Sequence, residues 1–267
     1  MPANGPVGFW GKFGKKPAKR DKRNFKFGAL LAAAPRLPKS YDFDTRYLAV
    51  PTPMFGNDVH GDCVIAGRAH QTLRFEYLEQ HKVVLIADKD VLREWHRENG
   101  NSEDGLSVLD SLNEWREKGW KAAGHTYKIK AFAEIDRTKP DELRKAIVMQ
   151  VGVGVGLTLP FNAVSLFQAG RPWDVTSGPS GKPDPHGGHY VYCPGYTEQG
   201  PVCVTWGRKQ QMTWRFFKRF CDEAYALIDA RDAKFKSTTG VGGRIDHRRL
   251  DELLAEVDGN RGGGSPS

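Results

Sequence analysis

A chain of 267 residues with 39% hydrophobic content can bury a substantial core in one large domain or two small ones. Its four cysteines are too few and too irregularly spaced for a disulfide scaffold, and no run of roughly 18 apolar residues exists to cross a membrane. A reduced, cytoplasmic setting is therefore expected. The formal net charge of +8 is lodged at one end: residues 1–28 hold eight Lys and Arg against Asp21, which leaves the remainder close to neutral.

Residues 1–28 mix Gly, Pro and Lys with Phe9, Trp10, Phe13, Phe25 and Phe27 and sustain neither a helical nor a strand period. They read as a flexible basic arm, extending over residues 1–35 to where the composition changes. Two uses of the arm stay open. Its cations and aromatic rings suit nucleic acid or an acidic partner, or the rings pack back on the body. Residues 27–34 (FGALLAAA) follow a basic stretch in the manner of a targeting segment, but the run is short, late and stopped by Pro35, so it reads as non-secretory.

The stretch from Asn57 to Gly67 (NDVHGDCVIAG) organises the chain. Asp62 is a favoured N-cap type, and Ile65, Ala69, Leu73 and Tyr77 recur at intervals of four, so a buried helix is expected to begin at or beside Cys63. A thiol in a first helical turn feels unpaired N–H groups and the positive end of the helix dipole, both of which favour the thiolate nucleophile. The competing reading of this stretch is that Cys63 is a small buried hydrophobe.

Residues 82–87 (KVVLIA) form a short apolar run, and residues 88–99 read as a helix. A loop over 99–106 leads to an amphipathic helix over 107–118 that ends at Gly119, with Leu109, Leu112, Trp115 and Trp120 facing a core. Residues 127–135 alternate as a strand, and a helix opening at Lys139-Pro140-Asp141 carries Leu143, Ala146 and Ile147. Residues 151–159 (VGVGVGLTL) read as a strand packed closely on both sides; they lack the endings and spacing of nucleotide-binding glycine loops. A Pro/Gly/Ser loop over 172–186 delivers a strand on which His189, Val191 and Cys193 share a face, and residues 201–207 return towards Trp206-Gly207. Thr213 is expected to cap a short helix bearing Trp214, Phe217 and Cys221, and residues 224–228 to form a closing strand. The segment 231–267 is charged, with a short amphipathic helix over 246–257 and a flexible glycine-rich end.

Two parts of the chain carry a resemblance to a known family. Residues 37–46 (LPKSYDFDTR), then Val50-Pro51-Thr52-Pro53, then Asn57 six residues before Cys63 with Gly61 two before it, resemble the opening of the papain-like cysteine peptidases, which carry Gln where Asn57 stands. His189 at the start of a strand, Gly195-Tyr196 six and seven residues later, and a hairpin return to Trp206-Gly207 resemble that family's second signature. The resemblance implies an α+β papain-like fold over residues 36–230, with a helical half behind Cys63 and an antiparallel β-sheet half carrying His189. It implies a thiol hydrolase of peptide or amide bonds acting on a peptide or protein substrate without a cofactor.

By the same resemblance Cys63 and His189 are the catalytic pair, 126 residues apart. Asn57 would donate its side-chain amide to the oxyanion, and Thr205, sixteen residues after His189 where the family has Asn, would orient the imidazole. Gly61, Asp62, Asp104, Gly105 and Gly188 would line the substrate cleft. Val64 replaces the Trp that usually follows the cysteine. The alternative is a catalytically weak or inactive papain-like fold used for binding or assembly. A metal site drawn from His60, Cys63, His186, His189, Cys193 and Cys203 has no supporting spacing and is not expected. The roughly thirty Lys-rich residues before Leu37 do not suit the family's helical pro-segment, so a secreted zymogen is not expected, while restriction by substrate choice, by the loop over 172–186 or by the basic tail stays open.

Overall fold

Residues 11–46, 50–100, 102–229 and 242–262 are described by a computed structural model of the chain. The N-terminal segment leads to β1 (Phe25–Lys26), a single 3-10 turn (Phe27–Leu30), β2 (Leu31–Ala33), β3 (Tyr41–Asp42) and α1 (Phe43–Arg46). A helical half follows: α2 (Cys63–Gln80), α3 (Asp88–Asn99), α4 (Val108–Glu117) and the hairpin of β4 (Trp120–Ala122) and β5 (His125–Tyr127). Then come β6 (Ala131–Glu134), α5 (Pro140–Met149), β7 (Val153–Pro160), α6 (Ala163–Gln168), β8 (Pro183–Thr197), β9 (Gly200–Thr205) and β10 (Arg208–Gln211). The last elements are α7 (Trp214–Phe220), β11 (Cys221–Ile228), β12 (Arg244–Ile245) and α8 (His247–Gly262).

The main sheet runs β1-β6-β11-β7-β8-β9-β10, with β3 on β8; apart from the parallel β1–β6 pair its pairings are antiparallel. Two apolar clusters fill the interior. One gathers α2, α3 and α4, and the other packs α5, α6 and α7 on the sheet. The fold class is thus α+β in two halves, as expected.

Local chemistry accounts for several element ends. Ser107 and Thr213 each accept a backbone N–H three residues on, capping α4 and α7. Gly100 closes α3 in the left-handed region. Other expectations shift. The strand expected over 127–135 is broken into β5 and β6, and the apolar run 82–87 takes no regular structure, with Ile86 buried and Leu85 exposed. Residues 27–33, which resembled a targeting segment, bury Phe27 and Leu30, and β2 pairs with β12.

Helix α2 is surrounded on nearly every side, so even Arg68 and Arg74 are buried and must be matched internally. Arg68 reaches Ser111 Oγ at 2.8 Å, pairs with Glu94 and Glu98, and lies over Trp115 and Trp120. Arg74 makes a two-pronged pair with Asp44, Nε to Oδ1 at 2.9 Å and Nη2 to Oδ2 at 2.7 Å, over the ring of Tyr192. That single guanidinium ties α1, α2 and β8 together. On the same interface a Cβ at Gly67 would lie 2.6 Å from the Tyr190 ring, so only glycine lets α2 settle this close to β8. Arg74→Ala would leave the buried Asp44 carboxylate only the more exposed Lys209, 3.3 Å away, and urea unfolding should record a loss of about 3 kcal/mol.

Candidate active site

Cys63 is the first residue of α2, and its sulfur accepts the backbone N–H of Tyr190, the residue after His189, at 3.4 Å. The helix start places Cys63 where intrahelical partners for N–H groups are missing. Asp62 holds the N-cap position, but its side chain makes no cap bond; Oδ1 instead accepts the Asn57 amide at 3.0 Å. The first helical bonds run from the N–H groups of Ile65 and Ala66 to the Asp62 carbonyl. Burial drives the Asp62 carboxyl up to about 8, against the lowering effect of the Asn57 bond.

On the facing strand, His189 pairs across the sheet with Leu157 in β7. Its Nε2 lies 2.7 Å from Thr205 Oγ1 at the end of β9, while Nδ1 has no hydrogen-bond partner among the described residues. A two-residue turn, Trp206-Gly207, joins β9 to β10 with φ of 45° and 76°. Positive φ is costly for a bulky residue such as Trp, and here it carries the indole onto the His189 ring, stacked at 4.6 Å. Thr205 and Trp206 therefore fix the imidazole from its edge and its face.

The basic N-terminal segment lies across this pair. Lys12 N–H donates to the Asn57 carbonyl at 3.3 Å, and the N–H groups of Gly14 and Lys15 donate to the Gly188 carbonyl at 3.1 and 3.0 Å. Leu106 N–H donates to the Gly14 carbonyl and Lys16 N–H to the Leu106 carbonyl, both at 2.8 Å, a one-residue parallel ladder. Phe13 meets the His189 ring edge-on at 5.8 Å, and the Trp206 Nε1 donates to the Lys12 carbonyl at 3.4 Å. Contact is made backbone to backbone: a Cβ at Gly14 would sit 1.7 Å from the Gly61 carbonyl oxygen, and one at Gly188 would sit 2.0 Å from the Lys15 oxygen. Lysines further along pair with the body, Lys19 with Asp110 and Lys26 with Glu134. Over residues 11–35 the segment expected to be a flexible arm is laid against the body, where Phe13, Phe25 and Phe27 pack back on it; Phe9 and Trp10 lie outside the described residues.

Under this cover Cys63 is 1% exposed and His189 fully buried. Burial pushes the Cys63 thiol up to about 12, although the N–H groups of Tyr190 and Gly14 favour the thiolate. Burial, with the nearby Lys15 charge, lowers His189 to about 3. The helix start does not deliver the thiolate that the sequence suggests, because a dipole effect of about 1 kcal/mol is outweighed by loss of water. Burial thus disfavours the charged form of both side chains.

Of the residues singled out in the sequence, Gly61, Gly105 and Gly188 all touch residues 13–15. Asn57 is at the site, but its amide donates to the His60 carbonyl at 3.1 Å and to Asp62, so both N–H bonds are spent within the loop. Asp104 is exposed, and its backbone bonds stay inside the loop with Ser102 and Asn99. Cys193, Cys203 and Cys221 are buried free thiols. No group of three His, Cys, Asp or Glu side chains among the described residues is placed to hold a metal ion, and no helix among them is long and apolar enough to cross a membrane. Sequence reasoning missed Phe13, Gly14 and Lys15, and it missed Asp222 and Glu223 at the start of β11; an acid pair opening an otherwise apolar strand was the available signal.

This arrangement, a cysteine helix packed against a sheet that carries the histidine, is the papain-like fold. Solved structures of cysteine proteases share it. Xylellain, a cysteine protease from Xylella fastidiosa, superposes with a TM-score of 0.62 at 14% identity, over 83% of this chain and 97% of that one. The Carica candamarcensis cysteine protease CMS1MS2, in complex with E-64, gives 0.55 at 15% identity, over 72% and 99%. A structure from a study of the mite allergens Blo t 1 and Der p 1 gives 0.54 at 10% identity, over 81% and 75%. No family profile matches the chain, and no curated protein does.

Because the covering segment needs glycine at position 14, Gly14→Ala should lift it from the site. Iodoacetamide labelling of Cys63, followed by mass spectrometry, should then accelerate by about tenfold or more, as a thiol regains water and ionises more readily. In the unaltered chain the rate should climb about tenfold per pH unit from pH 6 to 9 without a plateau, since the thiol titrates far above that window. In Gly14→Ala the curve should bend at lower pH.

Proposed function

We propose that the chain is a thiol hydrolase of peptide or amide bonds, with Cys63 as nucleophile and His189 as its proton partner. The observation that carries this reading is the pairing of the Cys63 sulfur with the residue after His189, while His189 offers a free Nδ1 and is held at Nε2 by Thr205. Once the cleft is vacated and hydrated, Nδ1 takes the Sγ proton and the thiolate adds to the carbonyl carbon of the substrate. The carbonyl oxygen then carries negative charge, for which the backbone N–H of Cys63 in the first turn of α2 is a donor. Asn57 joins it only if its amide turns away from His60 and Asp62.

Collapse of the adduct breaks the C–N bond, and the imidazolium gives its proton to the departing amine, leaving a thioester on Cys63. Water, deprotonated by the neutral imidazole, attacks that thioester; the acid departs and the thiol is restored. Thr205 serves as the group that orients the ring, accepting from Nε2–H while Trp206 holds the face. Its hydroxyl can do this with one bond, where an amide would add a second anchor.

In the Gly14→Ala chain, peptide hydrolysis should disappear on Cys63→Ala and fall by about a hundredfold or more on His189→Ala. Thr205→Val removes only the orienting acceptor, so kcat should drop by about tenfold or more with KM little changed, and Thr205→Asn should recover the rate. Turnover that survives Cys63→Ala would refute the hydrolase reading. Tight peptide binding with no turnover in any variant would favour the binding-module alternative.

A further inference from the structure

Beside the reaction centre, one side chain of the covering segment is swallowed. Lys15 is bracketed by the ladder to Leu106, and its side chain is 1% exposed in a pocket walled by Gly156, Thr158, Asp222 and Glu223. Its Nζ lies 2.9 Å from Asp222 Oδ2 and 3.3 Å from Glu223 Oε1, and donates to the Lys16 carbonyl at 3.1 Å. Two hydrogen bonds, to Asp222 and the Lys16 carbonyl, and the close Glu223 carboxylate thus surround the ammonium.

The acids are themselves held in place. Thr158 Oγ1 donates to Asp222 Oδ2 at 2.9 Å, and the Tyr225 hydroxyl donates to Glu223 Oε2 at 3.2 Å. The floor is open only because residue 156 is glycine: a Cβ there would come within 2.5 Å of Glu223 Cγ and 3.0 Å of Lys15 Cδ. Glu223 is nearly buried, and burial lifts its carboxyl to about 7, with Lys15 acting in the opposite direction. An empty or apolar-filled pocket would leave that carboxylate without a counter-charge, which is costly.

We propose that this pocket is a specificity site for a lysine side chain of the substrate, read by Asp222 and Glu223, and that Lys15 of the chain's own N-terminal segment occupies it in the covered form. The proposal rests on the hydrolase reading only for the word substrate; the recognition of an ammonium is a property of the pocket. A peptide whose backbone replaces residues 14–16 along Leu106 and Gly188 presents one side chain to the pocket. That residue lies next to the chain segment crossing Cys63, so its identity governs which peptides are held in position to react.

The test uses the full-length chain with Lys15→Met, which keeps the length of the stem and removes the charge. Cys63 alkylation should rise by about tenfold or more, because the buried Glu223 and half-buried Asp222 carboxylates, without their cation, no longer hold the segment. In chains carrying Asp222→Asn and Glu223→Gln, the same Lys15→Met change should have little further effect. In the Lys15→Met chain, synthetic peptides that differ at one position should then be compared as protectors of Cys63 against alkylation. A lysine peptide should protect at concentrations about tenfold or more below those of its leucine and glutamate counterparts, a margin of about 1.4 kcal/mol. Unchanged alkylation in Lys15→Met would overturn the proposal, as would equal protection by leucine and lysine peptides. Protection needs no turnover, so selective protection without hydrolysis would remove the hydrolase reading and leave the lysine site standing.

Discussion

The close seating of α2 on β8 is the constraint on which the rest of the molecule depends. Gly67 lets the Tyr190 ring lie against the helix, Arg74 and Asp44 lock the flank, and the result is a sulfur at the helix start touching the backbone beside His189. Each half contributes one member of the pair, and neither half contains a site by itself. Small changes at this seam would therefore act on chemistry through distance rather than through the reacting groups.

A second physical theme is water. The same helix start and hydrogen bonds that favour a thiolate are present, yet burial acts against the charged form of both side chains, and the Lys15 charge lowers His189 further. Covering the pair thus does two things at once: it takes both side chains out of water and it disfavours their charged forms. Hydrogen bonding to Gly188 and Leu106, glycine contacts at Gly14, and the buried Lys15 ion pair hold the cover by three different kinds of interaction.

Much of the fold could be read from local pattern. Helix α3 begins and ends where residues 88–99 predict it, because an apolar stripe ends at a glycine able to take a left-handed cap. Caps at Ser107 and Thr213 are visible for the same reason: a hydroxyl next to a helix needs only its own neighbours. The break between β5 and β6 and the irregular 82–87 run, with Ile86 buried and Leu85 exposed, were harder to read, since short apolar segments take their state from what they pack against. At the site, the family resemblance singled out Cys63, His189 and Thr205, and the fold sets the Cys63 sulfur on the N–H of the residue after His189 and Thr205 2.7 Å from the ring. The spacing could not show that the Asn57 amide is spent on His60 and Asp62, which is a matter of which way one side chain turns.

By itself, then, the sequence determined the two-half α+β architecture, the cysteine at a helix start and the histidine on a strand, because these follow from periodicity, capping chemistry and the motifs that carry the family resemblance. Only the tertiary structure decided that the basic segment fills the cleft and that Lys15 meets Asp222 and Glu223. Those partners lie some two hundred residues apart in the chain. A lysine in a charged tail looks the same in sequence whether it faces water or a pair of carboxylates in a pocket; its meaning comes from the folded sheet that delivers the acids and the glycines that make room for it.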